Sequence, residues 1–542
     1  MSKIRLTGRK RAGEVNASPI SKILTKNAVA TYIFFMFAIY PLYYEDKYYN
    51  MGDAKYHFFR WVTLIGLIII AALFAWYQVH LFRKGVVPGL DTLKQTSLLD
   101  RFVLAYTILT LLSFLLSPYK DYTLKGYEGW YMGLISQMAF VLLYYFASRF
   151  FRWDEIVLTI YLGISAIVFL ICVLNRFYVD PLEMYVGLDQ SYIINFVSTL
   201  GQATWFSSYL VLLFPIGLFT FWNYDHRVVR ILSGIYVFLG SMTMIAQNSD
   251  SAIMAYAFMY LGLFCYSFRD NLKMRRFLEC LVLLFAGWKA MGILQVVFSE
   301  KAVVLSGTMR GMSIGLPAWI LLAVSVAMLL LYIRVSSSDS FEIANFKAVR
   351  TVVLGLVVVS ILGIVVYIAL NTTGALAGTP LASDSNYLLF DEFWGNNRGS
   401  SWMVAVGTFA QSDIVRKLFG AGPDGFYNQA YTYYADVLAA KWGENTVLTC
   451  AHNEWLNALI TSGLLGAAAY MGIFIGGIVR FTKKSAEVPE VIAPALCIIA
   501  YMAHNFFCYQ QIICTPCIFL IIGAGESLCR YGRWPIWEPD GE

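Results

Sequence analysis

The sequence predicts an all-α, polytopic transmembrane helical bundle of about 14 spans, with a large extracytoplasmic loop containing short amphipathic helices. Three observations predict it. Apolar residues fill 59% of the 542 positions and charged residues only 14%, with a mean hydropathy of +0.62, a balance outside the range of ordinary soluble domains. Apolar runs of about 20 residues recur along almost the whole chain, the length at which a helix satisfies its own backbone hydrogen bonds across lipid. Lysine and arginine concentrate on alternate connecting segments, as the positive-inside rule requires.

In chain order, residues 1–27 read as a cytoplasmic tail carrying Lys3, Arg5, Arg9, Lys10, Arg11, Lys22 and Lys26. It runs straight into apolar sequence with no small-residue cleavage site, so it reads as an uncleaved tail and not as a signal peptide. Residues 28–370 hold spans 1–11, near 28–44, 61–82, 102–117, 131–148, 155–174, 203–222, 231–247, 251–268, 277–298, 314–333 and 351–370. Residues 371–451 form the extracytoplasmic loop. Residues 452–529 hold spans 12–14, near 454–479, 491–509 and 512–529, and 530–542 form a second cytoplasmic tail. With the N-terminus inside, about 27 of the 40 Lys and Arg fall on cytoplasmic segments and about 12 outside. The net charge of +6 therefore belongs to membrane orientation, and no nucleic-acid partner is expected. The nine cysteines lie mostly in apolar runs. "CTPC" (Cys514 to Cys517) has redox spacing without a thioredoxin-like context and reads as buried thiols.

The loop, roughly 80 residues long, far exceeds the usual helix–helix connection of about 2–8. "SSWMVAVGTFAQS" and "GFYNQAYTYYADVLAAKW" in it have amphipathic helical patterns. Its aromatics, Trp394, Trp402, Phe426, Tyr427, Tyr431, Tyr433, Tyr434 and Trp442, suit stacking on sugar rings and equally suit packing on the bilayer surface. Shorter external loops near 45–60, 118–130 and 175–199 are rich in tyrosine, as expected of interfacial belts.

Among residues able to do chemistry, His452 is the leading candidate of five histidines, His57, His80, His226, His452 and His504. It stands at the external start of a helix, where the dipole disfavours imidazolium and keeps the neutral, proton-accepting form. Asn453, Glu454, Asn457 and Thr461 continue a polar stripe inward at helical spacing. The competing reading is an interfacial histidine that caps the helix. Arg398 lies outside against the positive-inside trend, and a pyrophosphate would account for it; a solvated charge or lipid headgroup contact is the alternative. Arg416 and Lys417 offer further cations, or simply favourable charges at a helix C-terminus. "GAGPDG" (Gly420 to Gly425) allows a tight turn whose N–H groups could hold an anion through Gly420 and Gly422, but it lacks the Lys-Ser/Thr of a P-loop; a structural turn is the default. "AHN" occurs at 451–453 and again at 503–505, which makes His504 a supporting candidate. No HExxH, spaced Cys/His cluster, external Asp-x-Asp, GxSxG or Walker motif is present, so no metal is called for.

"AHNEWLNALITSGLLGAAAYM" resembles the His-Asn-x-x-Leu-x-x-x-x-x-x-Gly-Leu-x-Gly signature of the O-antigen ligase and O-antigen polymerase superfamily. "RGSSWMVAVGTFAQSDIVRKLFGAGPDGF" is similar to its companion: an Arg, a Trp-bearing helix carrying Trp402, then Leu-Phe-Gly-x-Gly-Pro. "GQATWFSSYLVLLFPIG", with Gln202, is a looser echo. The resemblance covers about residues 395–480. It implies a GT-C-like fold in a bacterial cytoplasmic (inner) membrane, both termini cytoplasmic and the site extracytoplasmic. It implies a metal-independent inverting glycosyltransferase without a cofactor: a polyprenyl-diphosphate-linked glycan is the donor, Arg398 clamps the diphosphate and His452 acts on the acceptor hydroxyl. Its partners would be that lipid-linked donor, a glycan acceptor, membrane lipids, a flippase and a chain-length regulator. Two departures matter: members commonly have about 12 spans where this chain reads as about 14, and a second phosphate-binding arginine is missing. Where many members carry Ser-Arg after the seventh or eighth span, this chain reads "NSDS" with Asp250, leaving Arg310, Arg416 or Lys417 to supply the second cation. Polymerase and ligase stay open. The competing class is a lipid-linked oligosaccharide flippase or other polysaccharide transporter, which needs charges inside its bundle and related halves.

Overall fold

The computed structural model describes residues 19–85, 96–153, 155–338, 340–443 and 447–532. Lys3, Arg5, Arg9, Lys10 and Arg11 of the basic tail, and the second tail from 533, lie outside the described residues. The helices are α1 (Ile20–Phe34), α2 (Met51–Arg83), α3 (Leu98–Leu116), α4 (Lys120–Lys125), α5 (Leu134–Phe150), α6 (Glu155–Asn175), α7 (Gln190–Ile193), α8 (Ala203–Asn223), α9 (Arg227–Ala246), α10 (Ser251–Ser267), α11 (Asn271–Val297), α12 (Gly307–Ser313), α13 (Leu316–Ser336), α14 (Lys347–Thr372), α15 (Trp394–Gln411), α16 (Ile414–Phe419), α17 (Phe426–Trp442), α18 (Glu454–Lys484), α19 (Ile492–His504) and α20 (Thr515–Tyr531). The only strands among the described residues, Phe196–Val197 and Gly201–Gln202, pair antiparallel. This is an all-α polytopic membrane protein. Each of the 14 apolar runs falls on a helix, and among the described residues ten helices are long and apolar enough to cross a membrane, while Leu134–Phe150, Ser251–Ser267 and Pro489–His504 are shorter apolar helices.

The packing follows from which helices are apolar all round. Nearly every residue of α8, α19 and α20 is buried, so these form the centre, with α8 and α10 against α19, and α5 against α20. α18 lies along α3, and α9, α11 and α13 follow outward. α14 buries only Asn371, near its C-terminal end, and its apolar surface suits lipid.

Ionic groups gather at the two ends of the bundle. At the α3 start, Ser97 and Asp100 form a reciprocal cap, and Asp100 also pairs with Arg149 at 3.3 Å and with Arg530. Arg530 and Arg480 both pair with Glu526, so α3, α5, α18 and α20 are tied together there. At the opposite end, buried cations neutralise helix C-termini instead. Lys55 Nζ donates to Tyr40 O (2.7 Å) and Pro41 O (3.2 Å), where the first span ends. Arg176 donates to Ala246 O, Ile194 O (2.9 Å) and Gln247 O (3.3 Å). Lys289, the basic residue within a span, donates to Ser313 O and Ile314 O at the end of α12 and lies 4.7 Å from the Trp319 ring centre.

Candidate functional site

His452 stands just ahead of α18, at the end where Lys55 and Arg176 lie buried. Asn453 caps the helix, its Oδ1 accepting from Trp455 N (3.0 Å) and Leu456 N (3.1 Å). His452 itself adopts φ 49°, a left-handed conformation that a β-substituted residue adopts only when its surroundings hold it there. The imidazole meets the Tyr509 ring edge to face, centroids 5.1 Å apart at 79°. Burial first, and the positive charge of Arg398 second, push its pKa from 6.5 down to about 4. At neutral pH it is a neutral imidazole able to accept a proton.

Arg398 follows three successive left-handed residues, Gly395, Asn396 and Asn397 (φ 58°, 64° and 67°), which turn the chain before the regular part of α15 begins. Its Nε donates to Phe507 O (3.1 Å) and its Nη1 to Gly395 O (2.8 Å), and the guanidinium carbon lies 5.9 Å from the Phe507 ring centre. Among the described residues it forms no ion pair with a carboxylate, so its charge is available to an anion. Trp402, one turn further on, stacks with Phe507 at 5.9 Å and 16° and meets Trp394 at 4.9 Å. It belongs to the wall that holds Arg398.

Asp250 ties three segments together around the site. Its carboxylate accepts from Tyr387 Oη (2.7 Å), Thr308 Oγ1 (3.3 Å) and Ser306 Oγ (3.5 Å), joining the α9–α10 turn, the start of α12 and the segment leading to α15. Burial of Tyr387, with its hydrogen bond to Asp250 next, pushes that phenol up to about 12, and Asp250 and Tyr387 both act electrostatically on Arg398. Arg310 is exposed on α12, two residues beyond Thr308.

Other candidates have their groups committed elsewhere. The N–H groups of "GAGPDG" do not form an anion cradle: Gly420 N donates to Arg416 O (2.8 Å), Ala421 N to Ile460 O (2.8 Å) and Gly422 N to Thr461 O (3.0 Å). The carbonyls of Ile460 and Thr461 are free to accept because Gly463, at φ 66° and ψ −177°, interrupts α18. Gly420 and Gly422 are thus joints of the fold. Gln202 caps α8 through Oε1, which accepts from Thr204 N at 2.8 Å. Arg416 and Lys417 sit at the C-terminal turn of α16, which packs on α18 and α3; charges of that sign complement the helix end. His504 is fully buried. Its Nδ1 lies 2.8 Å from Asn505 Oδ1, which accepts only, so Nε2 accepts from Ser207 Oγ (2.8 Å) or Ser251 Oγ (3.1 Å). Both ring nitrogens are therefore occupied, and His504 braces the bundle beneath the site.

Glu454 is the acceptor on which a buried polar chain converges. Tyr470 Oη (2.5 Å), Tyr501 Oη (2.9 and 3.0 Å) and Asn505 Nδ2 all donate to it. Gln510 donates to Tyr470 Oη at 2.7 Å, Gln137 to Gln510 at 2.9 Å and Tyr106 to Gln137 at 2.8 Å. Glu454, Asn457 and Thr461 line a narrow cavity of about 30 Å³ together with Tyr509 and Asp424, room for one or two waters. Asp424 Oδ2 accepts from Tyr127 N (2.7 Å) and Met132 N (3.2 Å), yet burial outweighs those bonds and pushes its pKa up to about 7.

Sequence reasoning did not single out Tyr509, Trp130, Trp205 or Tyr387. Trp130 meets Tyr509 at 4.9 Å and Trp205 at 5.7 Å, both edge to face, and Trp205 Nε1 points to Tyr509 Oη at 3.4 Å. Of these only Trp130 lies in a tyrosine-rich external loop; Trp205 and Tyr509 fall at the ends of apolar runs and Tyr387 in the long loop, where no local signal marks them. Among the described residues, no group of three or more His, Cys, Asp or Glu side chains is placed to hold a metal ion. No model of a known protein family matches the chain, and no curated protein matches it.

Proposed function

We propose that this protein transfers a glycan from a polyprenyl-diphosphate-linked donor to a sugar hydroxyl at the extracytoplasmic face of a bacterial cytoplasmic membrane, as a polysaccharide polymerase or an O-antigen-ligase-like enzyme. The observation that carries the reading is that one short segment holds both groups: Arg398, which among the described residues has no carboxylate partner, donates to Phe507 O at 3.1 Å, and the His452 imidazole packs on Tyr509, two residues further on, at 5.1 Å. The motif resemblance over residues 395–480 supports the same assignment.

The acceptor hydroxyl attacks the anomeric carbon as the bond to the diphosphate oxygen breaks. Its proton passes to His452, and the bonding pair leaves with the diphosphate. Arg398 stabilises that developing charge with its free donors. Arg310, exposed beside the Asp250–Thr308 contact, supplies a second cation, while Asp250 fixes the segment leading to Arg398. A single displacement of this kind inverts the anomeric centre.

The test is glycan transfer in proteoliposomes with polyprenyl-diphosphate-linked repeat units and EDTA throughout, comparing wild type with His452→Ala and Arg398→Ala. Longer or newly attached glycans with wild type alone support the reading, and product length separates polymerase from ligase. Donor that crosses the bilayer unchanged, in wild type and variants alike, overturns it in favour of a transporter.

A further inference from the structure

The three tyrosine-rich loops that sequence analysis assigns to interfacial belts do not lie as separate belts. They meet in one groove of about 280 Å³ lined by Tyr48, Tyr49, Asp53, Glu128, Trp130 and Phe196, with Trp205 from α8 at its edge. Hydrogen bonds between the loops hold it open. Tyr48 Oη donates to Ser198 O at 2.7 Å, Tyr49 Oη to Gly187 O, and Tyr131 Oη to Asp53 Oδ1 at 2.7 Å. Tyr56 and Tyr131 stack behind it at 3.8 Å and 8°. Gly52 and Gly129 let two of the loops close up, since a Cβ on Gly52 would sit 3.1 Å from Gly129 O.

The chemistry of the lining is selective. Aromatic side chains stand beside two carboxylates, Asp53 and Glu128, and among the described residues no lysine or arginine lines the groove. A lipid headgroup belt would place cations against phosphate; this groove repels phosphate. Aromatic faces that cover sugar C–H surfaces, next to carboxylates that accept hydroxyl hydrogen bonds, suit a carbohydrate. Its wall also reaches the candidate site. Trp130 and Trp205 both contact Tyr509, and Tyr509 contacts His452, so one aromatic side chain separates the groove from the imidazole.

We infer that this groove is the binding site for the acceptor glycan, and that it takes neutral or amino-bearing sugar chains in preference to uronate-bearing ones. The inference rests on the transferase reading for the word acceptor; binding of a sugar chain does not depend on transfer.

The experiment is direct binding of soluble tetrasaccharides (neutral, amino-bearing and uronate-bearing) to the full-length protein in detergent, followed by calorimetry. Exposed Tyr49 (60% accessible) and Glu128 provide variants outside the core, Tyr49→Ala and Glu128→Gln, with His452→Ala as a control for the reacting end. Binding of neutral or amino-bearing chains, weakened about tenfold or more in Tyr49→Ala and Glu128→Gln and retained in His452→Ala, supports the site. Uronate chains binding as tightly as neutral ones, or both groove variants binding like wild type, or no tetrasaccharide binding at all, overturns it. If the groove variants lose sugar binding while wild type transfers nothing in proteoliposomes, the transferase reading fails and the carbohydrate site stands.

Discussion

Gly420 and Gly463 meet backbone to backbone. A Cβ on Gly420 would lie 2.5 Å from Gly463 N, and one on Gly463 would overlap the Leu418 carbonyl. Both have ψ near 180° with positive φ, 81° and 66°, a region open essentially to glycine alone. The contact joins the two sequence motifs into one unit: the turn after α16 is bonded to the broken first part of α18, the helix that His452 precedes.

Gly463→Ala and Gly420→Ala are accordingly expected to cost more than ~2 kcal/mol each, combining backbone strain with overlap. Thermal unfolding of the detergent-solubilised protein checks this. A melting temperature unchanged in both variants contradicts the contact.

His452→Ala is expected to reduce transfer by about 10²–10⁴-fold with the fold intact. Because the imidazole titrates at about 4 in the folded protein, wild-type rate should hold from neutral pH until well below 6 and fall only as pH approaches 4. Arg398→Gln removes one of the two causes of the depression, so the His452 pKa should rise toward 6.5, read by ring-carbon NMR. An acid limb at the ordinary histidine position in wild type rules out the buried neutral base.

Arg398→Lys keeps a charge but not a planar fork. Nε and Nη1 donate to two different carbonyls, and a single ammonium does not reproduce both while reaching an anion. A loss of about 10²-fold in kcat/KM is expected, measured with the lipid-linked donor. Equal activity in Arg398→Lys excludes the clamp.

Two groups give stability opposite pH slopes. His452 has a folded pKa below its unfolded value, so its contribution is present above pH 6.5 and disappears as pH falls toward about 4. Asp424 has a folded pKa raised from 3.8 to about 7, so the folded state holds the proton more tightly and stability declines as pH rises from 4 to 7. Asp424→Asn keeps an oxygen for Tyr127 N and Met132 N and removes the charge. It should unfold at higher temperature than wild type at pH 8, with the difference vanishing near pH 4, by scanning calorimetry.

Glu454→Gln replaces one acceptor oxygen with an NH₂ facing Tyr470, Tyr501 and Asn505 donors. A loss of about 1–3 kcal/mol is expected, again from thermal unfolding; an unchanged melting temperature argues against the convergent network.

Local signals in the sequence carry the helices. Spans of unbroken apolar residues and the amphipathic patterns of 400–412 and 425–442 both emerge as helices, over Trp394–Gln411 and Phe426–Trp442 in the second case, because each depends only on residues within a turn or two of one another. The joints between helices are not local. Asp250 reads as a missing arginine until Tyr387, 137 positions away, is found bonded to it. His504 reads as a second site histidine from its neighbours Ala503 and Asn505, whereas Ser207 and Ser251 occupy its Nε2 side from other helices. "GAGPDG" reads by default as a structural turn, with an anion cradle as the alternative, and the interruption at Gly463, which supplies carbonyls for its N–H groups, decides for the turn. The groove of three loops is invisible for the same reason: belts and grooves have the same composition and differ only in which loops touch.

The break at Gly463 also separates two mechanical parts. Residues 454–462 are fastened to the "GAGPDG" turn by main-chain bonds and to α3 through Ser113 Oγ, which donates to Thr461 O at 2.8 Å, while 464–484 continue as the long rod of α18. A rod tilts to match the thickness of its bilayer. With a glycine between rod and stub, tilt is absorbed at the joint, and His452, next to the stub, keeps its place against Tyr509 as the host membrane thickens or thins.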